Sequence, residues 1–477
     1  MILAIDAGTT GITCLVVDDE LRTLGRGYRE IRQFFPQPGW VEHDPEDIWQ
    51  STLAAAEEAL AHARLAATDL TGIGIANQRE TTLVWNRGTG APLQRAIVWQ
   101  DRRTAERCRQ LPADIVRERT GLVPDPYFSA TKLEWILSRS SVEQEALAFG
   151  TVDSWLVWKL TGGTAHVTDA TNASRTMLVD LQTLDWDDDL LDLFGVDRVV
   201  LPRIVSSSER VVDAALLGAT VPIAGIVGDQ QAALFGHGCF APGEAKSTYG
   251  TGSFVLVNVG TDGGPPPPGL LKTAAATAAG ASHQYAVEGA VLSAGAAVEW
   301  LRDGLELVES ASETERIARE AGSSGGAYFV PALTGLGSPH WDPDARGLIA
   351  GLTRGTTRAQ LVRAALEAVA LQIADVVEAL SSPVDILRAD GGASSNAFLM
   401  QLQADLLGCP VEVSAERETT ALGAAALAGL ALGVWPDTAS LAKRFRRGTR
   451  YEPAGERDGI DELRAGWRLA LRRALLR

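Results

Sequence analysis

The chain is poor in cysteine, with only four residues in 477, and these lie far apart at Cys14, Cys108, Cys239 and Cys409. Structural zinc sites and dithiol redox sites need closely spaced pairs such as CxxC, and no such pair is present. We therefore expect reduced, mostly buried thiols in place of a metal site or a disulfide framework.

Long apolar runs are also scarce. The most apolar stretch, Ala421 to Trp435, is fifteen residues long, whereas a helix that spans a bilayer needs about 20. This stretch predicts a tightly packed helix and no membrane insertion. The opening residues, Met1 to Asp6, predict a strand and lack the basic and apolar regions of a secretory signal. We therefore expect a cytoplasmic location.

Basic residues are outnumbered, 43 against 60 acidic ones, which gives a net charge of −17. Such a chain repels a phosphate backbone and an anionic membrane surface, so we expect no nucleic-acid partner. Two common phosphate-binding patterns are missing as well, because neither GxxxxGK[ST] nor GxGxxG occurs. These absences exclude a P-loop and the dinucleotide-binding fingerprint.

Apolar strand-like runs alternate with helical segments along the chain, and this pattern predicts an α/β protein. One long helix should begin at the capping sequence Asp44-Pro45 and run towards His62. Another should extend from Thr357 to about Leu380, where apolar residues recur at helical spacing. The predicted strands are Ile2–Ile5, Cys14–Val17, Gly72–Ile75, Thr82–Trp85, Ile223–Val227, Phe254–Asn258, Val384–Arg388 and Val411–Val413.

A length of 477 residues predicts roughly two or three domains. The glycine-rich segment Gly236 to Gly243 interrupts the pattern, so we divide the chain into lobes 1–238 and 239–477. Each lobe opens with a strand, a glycine-rich polar turn and a second apolar strand. The four prolines within Asp262 to Gly269 predict an extended surface loop.

Three polar, glycine-rich turns could hold phosphate: Asp6 to Gly11, Tyr249 to Ser253 and Asp390 to Asn396. Backbone N–H groups and hydroxyls in such turns can bind an anion, and the third turn leads into a helix N-terminus. Each turn taken alone also fits an ordinary structural turn. Three of them in two lobes predict a nucleotide held between the lobes, with Asp6 near a hydrated magnesium ion.

Two polar clusters could hold a second substrate. Arg79 and Glu80 are adjacent at the edge of a predicted strand, although an isolated pair of this kind is more often a surface ion pair. Asp229 follows an apolar strand and precedes two glutamines, which makes it the candidate general base for phosphoryl transfer. Three aromatic residues could wall a small carbon skeleton, although aromatic residues are more often core. They are Trp99, Tyr127 and Phe254.

Together these residues resemble the FGGY carbohydrate kinases, and within that family the glycerol kinases. The resemblance extends from residue 1 to about residue 470. The segments that carry it are Pro38–Pro45, Asn77–Thr82, Ala96–Gln100, Thr168–Thr176, Gly228–Gly236, Thr248–Gly252, Thr334–Gly337, Gly351–Gly355 and Asp390–Gly392.

The resemblance implies an α/β fold of two actin-like, ribonuclease-H-like ATPase lobes, with the active site in the cleft between them. Lobe closure would accompany turnover. The implied reaction is transfer of the γ-phosphoryl group of ATP to glycerol, which gives sn-glycerol 3-phosphate and uses Mg²⁺. We also expect a homo-oligomer, either a dimer or a tetramer.

The resemblance also implies roles for individual residues. Asp229 would be the general base, and Asp6 would help to place the magnesium ion. The residues expected to contact glycerol are Arg79, Glu80, Trp99, Tyr127, Asp229, Gln230 and Phe254. The residues expected to contact the nucleotide are Thr9, Thr10, Gly11, Thr13, Thr251, Gly295, Glu299, Gly392 and Asn396.

The first turn departs from the family's usual Asp-Gln-Gly-Thr-Thr-Ser-Ser-Arg. Ala7 replaces the glutamine, and Gly11-Ile12-Thr13 replaces the last three residues. We expect the missing arginine to weaken nucleotide binding without abolishing transfer. Glu299 stands where the family often has glutamine. The glycine- and arginine-rich loop that senses fructose 1,6-bisphosphate is absent from Val211 to Pro222, so we do not expect control by that sugar.

Two alternatives stay open. The same scaffold could serve a kinase of another polyol or of a ketose, because pocket changes alone redirect substrate choice. The altered first turn also suits a catalytically silent, actin-like nucleotide-binding protein. Arg79, Glu80 and Tyr127 favour glycerol over the first alternative, and retention of Asp6 and Asp229 argues against the second.

Overall fold

The computed structural model describes residues 1–380, 382–455 and 458–476. It contains two lobes, each built on one large mixed sheet. The strands in chain order are β1 (Ile2–Ala7), β2 (Gly11–Val17), β3 (Thr23–Glu30), β4 (Gln33–Phe34), β5 (Glu42–His43), β6 (Gly72–Asn77), β7 (Leu83–Asn86), β8 (Ala96–Ile97), β9 (Leu147–Gly150), β10 (Val167–Asp169), β11 (Val179–Asp180), β12 (Asp185–Trp186), β13 (Arg203–Val205), β14 (Ser208–Leu216), β15 (Ala219–Gly228), β16 (Glu244–Tyr249), β17 (Ser253–Gly260), β18 (Leu271–Ala274), β19 (Tyr285–Val291), β20 (Tyr328–Val330), β21 (Leu348–Ala350), β22 (Ile386–Asp390), β23 (Val411–Ser414) and β24 (Arg447–Tyr451).

Helices connect these strands and cover the sheets. Within the described ranges they are α1 (Pro45–Ala63), α2 (Ala105–Cys108), α3 (Ala113–Thr120), α4 (Ser129–Leu137), α5 (Val152–Leu160), α6 (Ala170–Ala173), α7 (Asp188–Phe194), α8 (Asp229–Gly236), α9 (Gly295–Glu299), α10 (Thr314–Glu320), α11 (Arg358–Glu378), α12 (Ala397–Leu407), α13 (Thr419–Ala431), α14 (Thr438–Ala442) and α15 (Asp458–Leu475).

The same five-strand arrangement occurs in both lobes. The first sheet has the order β14-β15-β6-β1-β2-β3, and the second has the order β18-β19-β17-β16-β22-β23-β24. In the first, β1, β2 and β3 pair antiparallel while β1, β6 and β15 run parallel. In the second, β16, β17 and β19 repeat the antiparallel part and β16, β22 and β23 the parallel part. The predicted α/β class and the similar opening of each lobe are confirmed.

The two long helices form where the capping signals predict. Asp44 caps α1 by accepting a hydrogen bond from the Glu46 amide, and Pro45 occupies the first turn. Thr357 caps α11, and its capping box is completed by Gln360. These contacts satisfy amides that the first helical turn leaves without partners, so both predicted starts are confirmed.

Helix α13 packs against the sheet of the first lobe and against α8, although in the chain it lies between β23 and β24 of the second sheet. Its alanines and glycines let the backbones come close: a Cβ added at Gly423 would overlap the carbonyl oxygen of Ala232. The apolar run from Ala421 to Trp435, which is predicted to be helical, is a tightly packed helix as far as Ala431, where α13 ends. The packing of α13 against α8 therefore joins the two lobes.

The proline-rich loop between β17 and β18 is exposed at Asp262, Pro265 and Pro268 but buried at its centre. Pro266 and Pro267 are buried, and their carbonyl oxygens accept hydrogen bonds of 3.1 Å and 2.8 Å from Arg117 of the first lobe. Because proline has no N–H group, burial here leaves only carbonyl oxygens to be satisfied. The predicted surface loop is wrong at its centre, which forms a contact between the lobes.

The four cysteines are buried and unpaired, as predicted. No helix within residues 1–380, 382–455 and 458–476 combines the length and the apolar character that crossing a membrane requires. The segment Val211 to Pro222 forms the tip of the β14–β15 hairpin, whose turn contains Leu217 and Gly218.

Candidate active site

Arg79 and Glu80 lie in the loop that follows β6, in the interior between the lobes. Arg79 is 2% exposed and Glu80 is 1% exposed, so the reading as a surface ion pair is wrong. Glu80 has φ +59, a left-handed conformation that is uncommon for residues other than glycine. Residues held in this way cluster at functional sites, where the surrounding contacts enforce the conformation.

Arg79 is the centre of the polar contacts. Its guanidinium group bonds to residues of both lobes, because Glu288 lies on β19 of the second sheet. The contacts are Nη1 to Glu288 Oε2 at 2.6 Å, Nη1 to Gln231 Oε1 at 3.2 Å, Nη2 to Tyr127 Oη at 3.3 Å, Nε to Asp229 Oδ1 at 3.4 Å and Nε to Glu80 Oε1 at 3.8 Å.

Asp229 begins α8 and keeps part of its carboxylate accessible, since its side chain is 26% exposed. Its Oδ1 accepts a hydrogen bond of 2.7 Å from the Gln230 amide. The partial burial of Asp229 raises its pKa, whereas the nearby positive charges of Arg79 and Lys246 lower it. A partly accessible carboxylate with a raised pKa is a competent proton acceptor.

The two glutamines after Asp229 point to different partners. Gln231 bonds to Arg79 and donates to Thr273 Oγ1 at 3.1 Å, whereas Gln230 accepts a hydrogen bond from Lys246 of β16. Burial lowers the pKa of Lys246 to about 8. The sequence predicted a substrate contact for Gln230 only, and the structure places Gln231 deeper in the same network.

The three predicted aromatic residues are brought together from both lobes. The Trp99 ring lies 5.5 Å from Tyr127 and 6.4 Å from Phe254, measured between centroids, with edge-to-face geometry in both pairs. All three are half-buried, so they do not belong wholly to a core. Trp99 Nε1 also donates to Thr9 Oγ1 at 2.9 Å, which ties this aromatic wall to the first glycine-rich turn.

The first turn connects β1 to β2. Thr9 and Thr10 lie in the turn itself, whereas Gly11 and Thr13 lie in β2. A Cβ at Gly11 would lie 2.5 Å from the Tyr28 hydroxyl, and Thr13 is 7% exposed. The roles of Gly11 and Thr13 in nucleotide binding stay a prediction, and the packing shows that both positions also serve the sheet.

Asp6 is the second-last residue of β1 and lies near the carboxylates of Asp229 and Glu418. Burial raises the pKa of Asp6 well above its usual range, and the charges of Asp229 and Glu418 raise it further. In the part of the chain that the structure describes, no group of three or more His, Cys, Asp or Glu side chains could hold a metal ion. A cation at Asp6 would therefore take most of its ligands from water or from substrate oxygens.

The second turn packs against the start of α9. The Thr251 carbonyl oxygen accepts hydrogen bonds from the amides of Ala294 and Ala296, and the Gly250 carbonyl oxygen accepts one from the Gly295 amide. A Cβ at Gly295 would lie 2.6 Å from the Gly250 oxygen. Thr251 and Glu299 are both exposed. Glu299 lies at the other end of α9, one helical turn beyond Gly295.

The third turn packs against the second, because β16 and β22 are parallel neighbours. Gly391 has φ +86, and a Cβ there would lie 2.5 Å from the Tyr249 oxygen. Gly392 is exposed with open space around it. Asn396 caps α12 through its Oδ1 and donates from Nδ2 to Thr314 Oγ1 at 3.3 Å. Its side chain therefore has a structural role beside the predicted nucleotide contact.

Three buried charged residues of the site received no role from the sequence. Arg175 Nε donates to Glu80 Oε1 at 2.6 Å, and Glu288 bonds to both Arg79 and Arg175. Lys246 holds Gln230. Glu288 interrupts β19, which is otherwise buried and mostly apolar or small, and Lys246 occupies a buried position of β16. A charged residue inside such a strand is costly to bury without a partner. A charge within a buried strand is therefore the sequence signal that could have identified Glu288 and Lys246.

Comparisons with known proteins show the family of the chain. Residues 1–236 match the profile of the FGGY family of carbohydrate kinases, N-terminal domain, and residues 245–432 match that of the C-terminal domain. Glycerol kinase 2 of Thermotoga maritima is 49% identical over 99% of this chain and 98% of its own. A glycerol kinase of Bordetella parapertussis is 51% identical over 98% of this chain and 96% of its own.

Solved structures match as well. The crystal structure of Plasmodium falciparum glycerol kinase with ADP superimposes with a TM-score of 0.94 at 33% identity, covering 100% of this chain and 98% of that one. A gluconate kinase from Lactobacillus acidophilus, at 21% identity, shares the fold with a TM-score of 0.88 over 99% of this chain and 98% of its own. The two-lobed fold and the kinase class are confirmed, and the chain belongs to the FGGY family of carbohydrate kinases.

Proposed function

We propose that this kinase transfers the γ-phosphoryl group of ATP to a terminal hydroxyl of glycerol and releases sn-glycerol 3-phosphate and ADP. The observation that carries the proposal is the buried pair Arg79 and Glu80 beside Asp229, next to the aromatic wall of Trp99, Tyr127 and Phe254. Charged groups that donate and accept hydrogen bonds suit vicinal hydroxyls, and aromatic faces suit a short carbon skeleton. The identity of the glycerol kinases to this chain supports the same substrate.

The chain's own residues would carry the proton transfer. Asp229 accepts the proton of the attacking hydroxyl, because it is the partly exposed carboxylate among buried neighbours. Arg79, Glu80 and Tyr127 orient the other hydroxyls, so that the attacking oxygen is held in line with the phosphoryl group. Lys246 donates to the side-chain amide oxygen of Gln230 and so holds that side chain beside Asp229. Positioning of this kind supplies most of the catalysis in phosphoryl transfer.

ATP would lie along the three glycine-rich turns. In this proposal Thr9, Thr10 and Thr251 hold the phosphates, with Gly11 and Thr13 supporting the first turn. Gly295, Glu299, Gly392 and Asn396 contact the adenosine end. Asp6 would hold the magnesium ion, a choice that fits the mutual repulsion of Asp6 and Asp229. When bound, Mg²⁺ neutralises charge on the phosphate oxygens.

The proposal includes the organisation of the chain. We place the division between the lobes at residues 238 and 239, in the connection from α8 to β16. The first lobe then supplies most of the polyol site and the first phosphate turn, and the second supplies the other two turns. A cytoplasmic dimer or tetramer is the expected form of the enzyme.

A substrate panel tests the proposed function. ADP release is measured by a coupled assay with Mg²⁺ and ATP, using glycerol, erythritol, ribulose and xylulose in parallel. Glycerol should give the highest kcat/KM by at least about tenfold, because larger substrates must displace the aromatic wall. If a ketose gave a higher kcat/KM than glycerol, that ketose and not glycerol would be the substrate. If the chain binds ATP but forms no ADP with any of the four substrates, the catalytically silent alternative is favoured.

A further inference from the structure

Glu288 is a fully buried carboxylate of the second lobe whose partners both belong to the first lobe. It occupies the middle of β19, where every residue is buried. Its Oε2 accepts a hydrogen bond of 2.6 Å from Arg79, and its Oε1 accepts one of 2.9 Å from Arg175. One carboxylate therefore holds two guanidinium groups across the boundary between the lobes.

These contacts fix which edge of Arg79 is left for a ligand. Nη1 is committed to Glu288 and Gln231, and Nη2 donates to Tyr127. A guanidinium group is planar, so holding Nη1 also sets the direction of the opposite edge. That edge carries Nε, which lies 3.4 Å from Asp229 Oδ1. Glu288 thus sets the Arg79 edge that faces the proposed general base.

The second contact of Glu288 reaches the other polyol residue. Arg175 donates to Glu80 Oε1 at 2.6 Å while it bonds to Glu288. Two arginines and two carboxylates therefore balance in charge inside the protein. Burial opposes ionisation of Glu288, but Arg175 and Arg79 outweigh that effect and hold its pKa at about 2. Without the Glu288 carboxylate, the buried guanidinium groups of Arg79 and Arg175 would compete for Glu80, and both arginine side chains would have to rearrange.

We propose that Glu288 is a positioning residue for polyol recognition, which holds Arg79 and, through Arg175, Glu80 in their binding orientation from the opposite lobe. This inference rests on the proposed polyol phosphorylation. Because the holding group comes from the second lobe, polyol affinity depends on the two lobes being in contact. Polyol binding and lobe contact would then favour each other, as thermodynamic linkage requires.

Steady-state kinetics of the full chain test the inference, using the variants Glu288→Gln and Glu288→Asp. Gln keeps the size and one acceptor oxygen but removes the charge, while Asp keeps the charge and shortens the reach. For Glu288→Gln we expect the KM for glycerol to rise about 10- to 100-fold, the scale of a lost charge-assisted hydrogen bond. The KM for ATP should stay within about twofold and kcat within about fivefold. Glu288→Asp should restore part of the glycerol affinity.

The control variant is Glu367→Gln, which also removes a buried carboxylate paired with an arginine, Arg363 at 2.7 Å, but lies on α11 outside the site. It should lower the thermal unfolding temperature without changing the KM for glycerol. An unchanged glycerol KM in Glu288→Gln, or equal rises in the KM values for glycerol and ATP, would overturn the inference. If Glu288→Gln does not fold, a wild-type glycerol KM in Glu288→Asp overturns it equally.

Failure of the proposed function is distinguishable, because it appears in the unsubstituted chain. If another polyol or ketose is the better substrate, the same comparison of KM values is made with that substrate, and a selective rise in its KM supports the role of Glu288. If the unsubstituted chain phosphorylates none of them, the proposed function fails and this inference fails with it.

Discussion

On the proposed polyol side of the site charged side chains lie beside the aromatic wall, whereas the proposed nucleotide side consists of backbone turns and small residues. Arg79 and Glu80 are almost completely buried and are held by partners from both lobes. Thr251 and Gly392 are exposed and lie in turns that are supported by their backbones. Ion pairs preorganise the proposed polyol side, and close packing between main-chain segments preorganises the proposed nucleotide side.

The difference indicates how each side can be damaged. Where side chains carry the contacts, removal of a charge should weaken the binding of one substrate and leave the backbone in place. Where close main-chain packing carries them, the addition of a single methyl group should displace a turn. The two sides should therefore respond selectively, with the KM for glycerol and the KM for ATP changing in different variants.

The largest effect should come from Asp229→Asn, which removes the proton acceptor and nearly preserves shape. We expect kcat to fall about 10²- to 10⁴-fold, the usual contribution of a general base, with little change in glycerol binding measured by calorimetry. Asp375→Asn is the matched control, because that half-buried carboxylate accepts a hydrogen bond of 2.7 Å from Trp467 away from the site. Turnover retained in Asp229→Asn would exclude Asp229 as the base.

A smaller, selective effect is expected from Arg79→Ala. Loss of the guanidinium group should raise the KM for glycerol roughly 10- to 100-fold, because charge-assisted hydrogen bonds of this kind contribute about 1.5–3 kcal/mol. The KM for ATP should be nearly unchanged. Arg103→Ala is the control, since Arg103 is equally buried and paired with Asp101 and Glu42. An unchanged KM for glycerol in Arg79→Ala would show that the polyol lies elsewhere.

The nucleotide side should respond to Gly391→Ala. The added Cβ would lie 2.5 Å from the Tyr249 oxygen at a φ of +86, so the second and third turns must move apart. We expect the KM for ATP to rise about three- to tenfold and stability to fall by about 1–3 kcal/mol. The exposed Gly355, where an added Cβ would make only an ordinary contact of 3.8 Å with Thr353 Oγ1, gives the control Gly355→Ala. A larger change in the KM for glycerol than for ATP would contradict the division of roles.

The smallest effect concerns pH. Asp229 must be ionised to accept a proton, and burial raises its pKa above its ordinary value. Activity should therefore fall as pH drops through that raised pKa, at a higher pH than the value of about 3.9 for an exposed aspartate. Because Lys246 opposes the rise, Lys246→Met should move the acid limb of kcat/KM to higher pH. A shift to lower pH in that variant would contradict the assignment.

Sequence patterns predicted much of the fold because they report local physics. The Asp44 and Thr357 caps, the apolar strands and the alanine-rich α13 all formed where their patterns placed them. The order of polar and apolar residues identified candidates such as Asp229 and Trp99, and the family resemblance supplied their proposed roles. The centre of the proline-rich loop was predicted wrongly, because its burial depends on Arg117 of the other lobe.

The sequence by itself determined the alternation of strands and helices, the helix starts and the identity of the polar segments, because these depend on neighbours within a few residues along the chain. Only the tertiary structure decided that Glu288 meets Arg79 and Arg175, since those partners are 209 and 113 residues away. The choice between Gln230 and Gln231 as partner of Arg79 was of the same kind. Burial, charge balance and the direction of a guanidinium edge are properties of packed lobes, and no local pattern specifies them.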